Sequence, residues 1–478
     1  MDYSARKRGP RSAKWLVLAL VSIGTLMSTL DASIVSVAMP TLTAAFHTTV
    51  STSQWFVLAY TSVVTVLLLA FGKLGDIVGR RRLYLCGILA FTAGSLVCGF
   101  SVSALMLILA RGFQAVGASM IMSSGPALVT DAFPPEERGK SLGFIGSAVA
   151  LGLLAGPLAG GVIIQYLSWH WMFFINVPIG LVLAAILATR VRGLDESRDG
   201  RLDIAGAGLM AIALAALLAG LMRGQDSGWL SHTAIALLVT ALAFGAAFIV
   251  LERRASDPVL RLSLFRHRDF AVGAISGWAN YAATFPIPVF VPFYLQNLLG
   301  YDPRRVGLVL AFGPLTLALV APLAGSLSDR IGPRLLTFVG LSIASAGLLS
   351  LRTLDPGSSM VGVVWRLVLA SLGSAIFVSP NSSSVMGSVA REELGVAAGV
   401  VALVRNLGMV CGIALAGSII TTVERGFTAT GEIGRGAAFR QLAFLEGLRA
   451  ALLVCAAIAL AGALVSALRV RPYGADRA

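Results

Sequence analysis

The sequence predicts an all-α transmembrane protein. Of its 478 residues, 57% are hydrophobic and only 13% are charged, whereas about a quarter of the residues of a soluble domain are charged. Apolar stretches of about 20 residues, enough to cross a bilayer core of roughly 30 Å, recur along the whole chain. A glycine-rich basic segment, GKLGDIVGRRR at 72–82, returns in weakened form as GSLSDRIGPR at 325–334, each time directly after such a stretch. This repetition indicates two related halves.

Fourteen apolar stretches are long enough to span a membrane, two more than a pair of six-span bundles requires. The second copy of the glycine-rich segment starts too far along the chain for six spans alone, so the surplus spans must lie between the halves. We therefore expect an N-terminal six-span bundle over 1–190, a two-helix central insert over 191–262 and a C-terminal six-span bundle over 263–478. The predicted spans cover residues 15–39, 53–72, 83–102, 104–124, 141–165, 171–190, 202–222, 232–251, 270–297, 306–326, 334–353, 360–384, 394–422 and 445–468.

The distribution of positive charge predicts the orientation of the chain in the cell membrane. With both termini in the cytoplasm, most of the 37 lysines and arginines fall in cytoplasmic segments, as the positive-inside rule requires. The net charge of +14 is therefore explained by orientation, and no nucleic-acid partner is expected.

Several kinds of chemistry are not expected from this sequence. The four cysteines and four histidines are scattered, so neither a disulfide framework nor a metal site is predicted. No histidine has an acid or nucleophile partner that would indicate an enzyme. The nearest string to a phosphate-binding loop, PEERGKS at 135–141, follows Pro134, which stands where the first glycine should be. With no nucleotide site and no cofactor predicted, an ion gradient is the expected energy source.

Asp31 is the one acidic residue, among 23, that lies well inside a predicted span. Ionisable groups deep in a bilayer are costly and usually functional. Asp31 in span 1 and Arg111 in span 4 each lie about eight residues from the outer end of their span, hence roughly 12 Å deep. The arginine favours the ionised carboxylate and burial favours the neutral one, a balance that a substrate or a conformational change could tip. We interpret the two as a proton-coupling pair; the alternative is a static ion pair that orients two helices.

The segment GKLGDIVGRRR joins spans 2 and 3. Gly72 and Gly79 permit a tight turn, and Asp76 is expected to accept hydrogen bonds from amides at a helix N-terminus. Arg80 and the two arginines after it are expected to anchor the inner face or to contact anionic lipid. The corresponding acid of the second copy is Asp329. A basic turn that obeys the positive-inside rule would explain the arginines but not the spacing of glycine and aspartate.

Span 5 carries the pattern GSAVALGLLAGPLAGG at 146–161. Gly152, Gly156 and Gly160 recur every four residues, which leaves a smooth groove along one helix face for close approach of another backbone. Pro157 removes a helical hydrogen bond and permits a bend, and Gly161 doubles the last glycine. This pattern predicts a hinge or seal, although ordinary small-residue packing would also produce such spacing.

Span 9 presents an aromatic face. Trp278, Tyr281 and Phe285 follow at offsets of three and seven, which places them on one side of a helix, with Asn280 nearby. Such a face could bind a flat lipophilic ligand, with the amide orienting it. Aromatic side chains on membrane helices more often face neighbouring helices or lipid, so this cavity is one of two interpretations.

Two further arginines lie inside predicted spans. Arg366 in span 12 is close enough to the outer end for its side chain to reach the membrane interface. Arg405 in span 13 is deeper, and we include it with the candidate cavity residues as a gate element or an anion contact.

The quoted segments resemble those of a known family. Together they are similar to the major facilitator superfamily and, within it, to the fourteen-span drug:proton antiporter branch. The resemblance covers nearly the whole chain. It rests on the loop GKLGDIVGRRR, the span 1 segment LDASIVSVAMP at 30–40, the span 4 segment RGFQAVGA at 111–118, the span 5 segment GPLAGG at 156–161 and the span 6 entry WHWMFFINVPIG at 169–180.

The resemblance implies alternating access between two six-helix bundles and proton-driven export of lipophilic, often cationic drugs or toxic small molecules. It implies that Asp31 and Arg111 couple proton movement and that Asp76 latches the bundles at the cytoplasmic face in one state. His170 stands where the branch usually has arginine. The expected partners are a small-molecule substrate, protons and membrane lipids, with no oligomer required. The alternatives are an exporter dedicated to one natural product, lipid or metabolite and, more remotely, a membrane-embedded enzyme or sensor.

Overall fold

The structure, a computed structural model, describes residues 11–134, 137–191, 204–254, 262–390, 393–429 and 437–469, and every regular element in these ranges is helical. Parts of the predicted central insert, at 192–203 and 255–261, lie outside the described residues. The helices are α1 (Arg11–Ala45), α2 (Val50–Val78), α3 (Arg80–Gly99), α4 (Ala104–Ala132), α5 (Arg138–Tyr166), α6 (Trp171–Phe174), α7 (Asn176–Arg190), α8 (Ile204–Ser227), α9 (His232–Glu252), α10 (Arg268–Thr284), α11 (Pro286–Phe293), α12 (Pro303–Ile331), α13 (Pro333–Leu351), α14 (Met360–Gly387), α15 (Leu394–Ala429) and α16 (Ala437–Ser466).

Twelve of the described helical segments are long and apolar enough to cross a membrane, not the fourteen expected from the sequence. The two differences have physical causes. In α8 the apolar stretch within the described residues covers only Gly208–Leu221. The predicted span 9 is broken, since α10 stops before Pro286, α11 contains Pro292, and a π-helical turn follows at Tyr294–Leu298. Proline lacks the amide proton that a continuous helix needs.

Buried apolar clusters define where the two bundles meet. We call the ends of the bundles inner and outer, following the orientation that the charge distribution predicts. One cluster joins outer residues of α1 and α2, such as Met39 and Phe56, to Phe290 of α11 and Val306 of α12. A second cluster, including Tyr84, lies within helices α1–α7, and a third, including Phe270, lies at the inner ends of α10, α14 and α15 with α8 and α9. The bundles therefore share a core at the outer end and have separate cores further in.

The glycine-rich segment makes the same turn in both halves. Gly79 connects α2 to α3 with φ 103°, and Gly332 connects α12 to α13 with φ 85°. Residues with a side chain rarely adopt this backbone region, which explains glycine at both positions. Each of these glycines is the single residue between two helices, so the turn is tight, as the sequence predicted, and shorter than the gap between the predicted spans.

Helix α8 packs against both bundles, on α2 of the first and α15 of the second. Just beyond α8, the indole Nε1 of Trp229 donates to the hydroxyl of Ser418 on α15 at 3.0 Å, and Leu218 of α8 belongs to the outer apolar cluster. This helix therefore covers the seam between α2 and α15. On the other seam, α5 and α12 contact each other directly.

Candidate functional site

Three side chains hold the carboxylate of Asp31, which is fully buried in α1. Arg111 of α4 donates from Nη1 to Oδ2 at 2.5 Å. Gln114, nearly one turn further along α4, donates from Nε2 to Oδ1 at 2.9 Å, and Asn176, the first residue of α7, donates from Nδ2 to the same oxygen at 2.9 Å. The structure thus brings together the two charges that the sequence placed at one depth. Their proton-coupling role stays a prediction.

Arg111 is 1% exposed, and neutral groups complete its surroundings. Its Nε donates to the backbone oxygen of Phe56 on α2 at 3.0 Å, and its guanidinium lies 4.2 Å from the ring centroid of Tyr60. Its Nη1 also donates to Oε1 of Gln114 at 2.7 Å, while Nε2 of that glutamine donates to Ser95 at 2.7 Å. The network therefore ties α1, α2, α3, α4 and α7 to one carboxylate, and a change at Asp31 acts on the whole bundle.

The sequence interpretation missed two members of this network as site residues. Gln114 and Asn176 appear there only as letters in the segments RGFQAVGA and WHWMFFINVPIG. Asn176 is 145 positions from Asp31, so no local spacing could relate the two. A polar amide at the start of an otherwise apolar helix was the available signal. The structure explains this amide: α6 ends at Phe174, and the short break before α7 brings Asn176 against α1.

A cavity of about 220 Å³ lies between the bundles on the other side of α1. Its wall is formed by α1, α5, α12, α14 and the junction of α10 with α11, and it carries no charged side chain among the described residues. Phe285, Leu153 and Leu310 contribute apolar surface. Hydroxyl groups reach the wall from Ser33, Ser36, Thr284, Ser371 and Ser374. Asp31 is absent from the wall, so one helix separates the carboxylate from the cavity.

The glycines of α5 contact two helices. Gly152, Gly156 and Gly160 lie against α1, where a β-carbon on Gly160 would come within 2.6 Å of Ile34 Cγ1. Ser33 of α1 donates to the backbone oxygen of Gly152 at 3.0 Å. Gly161 instead faces α12 in the other bundle.

At that second contact, a β-carbon on Gly161 would lie 2.5 Å from the Pro303 carbonyl oxygen and 3.3 Å from Gly307 Cα. Pro157 also borders this contact, because its carbonyl oxygen approaches Gly307. Gly307 was not predicted. The pattern that predicted a hinge or seal thus lies between the helix that carries Asp31 and the opposite bundle.

One expectation for the inner turn was wrong. Asp76 does not accept from amides at a helix N-terminus; it lies inside α2, and its Oδ1 accepts from Nε and Nη2 of Arg80 at 2.9 and 2.7 Å. The reason is that α2 continues to Val78, which places Asp76 four residues before Arg80 across the Gly79 turn. Arg80 also donates to both carboxylate oxygens of Asp131 on α4 at 2.8 Å, so these contacts stay within the first bundle.

The other predicted gate residues lie apart from this ion-pair cluster. A β-carbon on Gly72 would have no neighbour within 4 Å. Asp329 is exposed near the inner end of α12. The latch between the bundles therefore stays a prediction for another state.

The predicted cavity face of span 9 has two kinds of surroundings. Phe285 lines the cavity, whereas the backbone oxygen of Trp278 and the β-carbon of Tyr281 lie beside Gly408 of α15, which lets the two helices approach closely. Their part in a substrate cavity stays a prediction. Asn280 is fully buried, and neither of its amide atoms has a hydrogen-bond partner among the described residues. Arg405 donates from Nε to the side-chain oxygen of its neighbour Asn406 on α15 at 3.4 Å.

The structure shows the contacts of two residues, Arg366 and His170, whose roles the sequence left open. Arg366 donates to the backbone oxygens of Ser350 and Gly362 at 3.0 and 2.7 Å and lies 4.6 Å from the centroid of its neighbour Trp365, so it joins the outer ends of α13 and α14. His170 stacks on Trp169 with ring centroids 3.7 Å apart. Partial burial lowers the pKa of His170, which lies between α5 and α6.

The fold and the motifs match one family throughout the chain. A family model described as Major Facilitator Superfamily matches residues 21–413 and, separately, 273–477. The chain belongs to this superfamily. Its relatives are transporters, so this member is a multi-pass membrane transporter and not an enzyme.

Named relatives cover most of the chain. It is 37% identical over 403 residues to the riboflavin transporter RibZ of Clostridioides difficile, a match that covers 84% of this chain and 87% of that protein. It is 33% identical over 406 residues to the multidrug resistance protein Stp of Mycobacterium tuberculosis, covering 85% and 75%.

A solved structure has the same fold. The crystal structure of a bacterial homolog of the human lysosomal transporter Spinster, inward-facing and unoccupied, superposes with a TM-score of 0.72 at 16% identity over 96% of this chain and 97% of the other. The two chains therefore share one fold.

Proposed function

We propose that this protein is a proton-coupled secondary antiporter that exports lipophilic small molecules by alternating access. The observation that carries the proposal is the fully buried carboxylate of Asp31, which accepts from Arg111, Gln114 and Asn176. Protonation would remove the negative charge that these three donors stabilise and so weaken the contacts, above all the ion pair with Arg111. Protonation of Asp31 is therefore linked to movement of α1 against α4 or α7.

The packing of α5 supplies a route from the proton site to the outer contact between the bundles. Gly152 and Gly156 lie against α1 near Asp31, and Gly161 lies against α12. Because a tightly packed helix pair transmits small shifts, movement of α1 displaces α5 and thereby loosens or tightens its contact with Gly307. In this conformation the bundles meet at the outer end, as an inward-facing exporter requires.

In this proposal the proton binds on one side of α1 and the cargo binds on the other. Asp31 faces the interior of the first bundle, while Ser33 and Ser36 of the same helix line the cavity. A molecule in the cavity therefore need not touch the carboxylate to change its surroundings. Differential binding of cargo to the two positions of α1 is sufficient for exchange.

The finer topology forms part of this proposal. We propose fourteen crossings, in which α8 and the broken series of α10, α11 and the π-helical turn complete the set of the drug:proton antiporter branch. Both termini lie in the cytoplasm and the protein resides in the cell membrane, as the positive charge distribution favours.

The relatives support two cargo ranges. One, at 33% identity, is named as a multidrug resistance protein, which agrees with export of drugs and other toxic small molecules, often cationic. Another, at 37%, is named as a riboflavin transporter, which favours the second candidate, a transporter dedicated to one metabolite. The mostly apolar cavity favours the broader range.

Inverted membrane vesicles provide the test. An imposed proton gradient, acid inside, should drive uptake of a lipophilic fluorescent dye by the parent protein. Asp31→Asn should abolish gradient-driven uptake yet retain dye exchange down its own gradient. Glu446→Gln is the matched control, since this exposed acid pairs, within the described residues, only with Arg449 three positions away. Gradient-driven uptake by Asp31→Asn at the parent rate would refute the coupling.

A panel of unrelated dyes and one flavin then separates the two cargo ranges. Uptake of several dye classes supports the broad exporter. Uptake of the flavin alone would replace it with the dedicated transporter.

A further inference from the structure

Three serines in the wall of the central cavity have hydroxyl groups that the protein itself does not use. Most helical serines and threonines here donate back to a carbonyl oxygen in the preceding turn, as is usual when no other acceptor is near. Ser33 donates to Leu30 at 3.1 Å and to Gly152, and Thr284 donates to Asn280 at 2.7 Å. Ser36, Ser371 and Ser374 make no hydrogen bond within the part of the chain that the structure describes.

The placement of these serines suits a molecule held between the bundles. Ser36 belongs to α1, while Ser371 and Ser374 are three residues apart on α14 and therefore share one helix face. A β-carbon on Gly313 of α12 would lie 3.1 Å from Ser371 Oγ, so this glycine leaves the hydroxyl room. Three donors thus reach the cavity, one from the first bundle and two from the second.

The cavity offers nothing to balance a charge. No charged side chain among the described residues lines it, and Asp31 is already held by Arg111 and two amides inside the bundle. Moving an ion out of water without a partner costs several kcal/mol. A hydroxyl group, in contrast, pairs well with an uncharged oxygen acceptor. The wall therefore selects against a permanent cation.

We propose that the cargo is an uncharged lipophile whose carbonyl or hydroxyl oxygens accept hydrogen bonds from Ser36, Ser371 and Ser374, so that one molecule bridges the two bundles. This inference rests on the proposed function and narrows its cargo. It removes permanent cations from the cargo range and assigns the three serines as the specificity-determining contacts. Proton coupling at Asp31 then proceeds without a positive charge on the cargo competing for the carboxylate.

Direct binding to the purified protein in lipid nanodiscs tests the cargo class without any transport step. The probes share one tricyclic shape: N-methylacridone is neutral with a carbonyl acceptor, anthracene is neutral with no acceptor, and N-methylacridinium is a permanent cation. We expect the protein to bind N-methylacridone about tenfold more tightly than N-methylacridinium.

Serine variants test the contacts. Ser371→Ala combined with Ser374→Ala should weaken N-methylacridone binding about tenfold, a loss of one to two hydrogen bonds, and leave anthracene binding unchanged. Ser342→Ala is the matched control, because its hydroxyl donates within α13 to Phe338 at 2.8 Å. Tighter binding of the cation, equal binding of N-methylacridone by the parent and the double variant, or no binding of any probe would overturn the proposal.

The two proposals fail in different assays. Preferred binding of the cation, with dye uptake still driven by the proton gradient through Asp31, would overturn the cargo class alone. Serine-dependent binding of N-methylacridone, with gradient-driven uptake by Asp31→Asn at the parent rate, would overturn the proton coupling alone.

Discussion

The first and fourth spans of the two bundles meet in seams of opposite chemistry. Between α1 and α4, Asp31 and Arg111 form a charged pair whose polar neighbours are hydrogen-bonded. Between α10 and α14, Ser276 lies 3.5 Å from the side-chain oxygen of Asn381, and nearby Asn280 has no hydrogen-bond partner among the residues that the structure describes. An unpaired buried charge costs several kcal/mol, whereas an unpaired neutral amide costs about 1–3 kcal/mol. The described residues thus show a buried acid and base paired with each other in the first seam and not in the second.

The second bundle also has a buried cation, which reaches the inner end of the seam between α10 and α14. Arg469 follows α16 at the inner end and donates to Asn381. Burial lowers the pKa of Arg469 to about 10, although Asp269 opposes this effect. The group remains charged at neutral pH, whereas the role proposed for Asp31 requires its carboxylate to gain and lose a proton. The comparison teaches that, among the described residues, duplication of the fold did not duplicate the pair of Asp31 and Arg111.

The largest expected effect comes from breaking the charged seam. Arg111→Gln leaves the Asp31 carboxylate without a cation and should destabilise the folded protein by about 3–5 kcal/mol. The double variant Asp31→Asn, Arg111→Gln should recover most of this loss, because no unpaired charge remains. Thermal unfolding in detergent, followed by the loss of monodisperse protein, measures both. If the double variant is less stable than Arg111→Gln alone, the pair does not act as a unit.

Substitutions at two buried asparagines, one in each seam, should have effects of intermediate size on stability. Asn176→Leu removes a hydrogen bond to a charged group, which should cost about 1.5–3 kcal/mol. Asn280→Leu removes an amide that has no partner and should be neutral or stabilising, since the penalty of an unpaired buried group disappears. The same thermal assay compares the two directly. Equal destabilisation by both would mean that Asn280 has a partner in the membrane.

The sequence predicted much of this arrangement because membrane spans, glycine turns and buried charges leave local signals. The equal depth of Asp31 and Arg111 in the membrane followed from the predicted span boundaries and the rise per residue of a helix. The segments through which the chain resembles its superfamily contain residues of the Asp31 network, of the inner turn and of the contacts made by α5. Asn176 and Gly307 were not found, since each acts on a residue more than a hundred positions away.

The sequence left two interpretations of the aromatic face of α10 for a related reason. Helical spacing shows that Trp278 and Tyr281 share a side, but only packing shows that this side belongs to α15. Likewise, prolines that broke span 9 were visible in the sequence, yet the apolar composition alone suggested one continuous helix.

The smallest expected change in free energy comes from a substitution at the contact between α5 and α12, where the two bundles meet. Gly161→Ala places a methyl group 2.5 Å from the Pro303 carbonyl oxygen, so α5 and α12 must separate slightly, at a cost of about 1–3 kcal/mol to the conformation closed at the outer end. Gly146→Ala on the same helix is the matched control, because its β-carbon would meet nothing within 4 Å. We expect Gly161→Ala, and not the control, to shift the population toward the state that is open outside.

A cysteine at Val37 reports this shift. The backbone oxygen of Val37 accepts from Gln296 of the opposite bundle at 3.3 Å, and its side chain is fully buried while the outer end is closed. In cells carrying Val37→Cys, a membrane-impermeant maleimide should react several-fold faster when Gly161→Ala is added, since a shift of about 1 kcal/mol changes a population ratio roughly fivefold. Unchanged labelling would show that the α5 and α12 contact does not limit outer opening, and control of the seal would then pass to the apolar cluster around Phe290, where the bundles also meet.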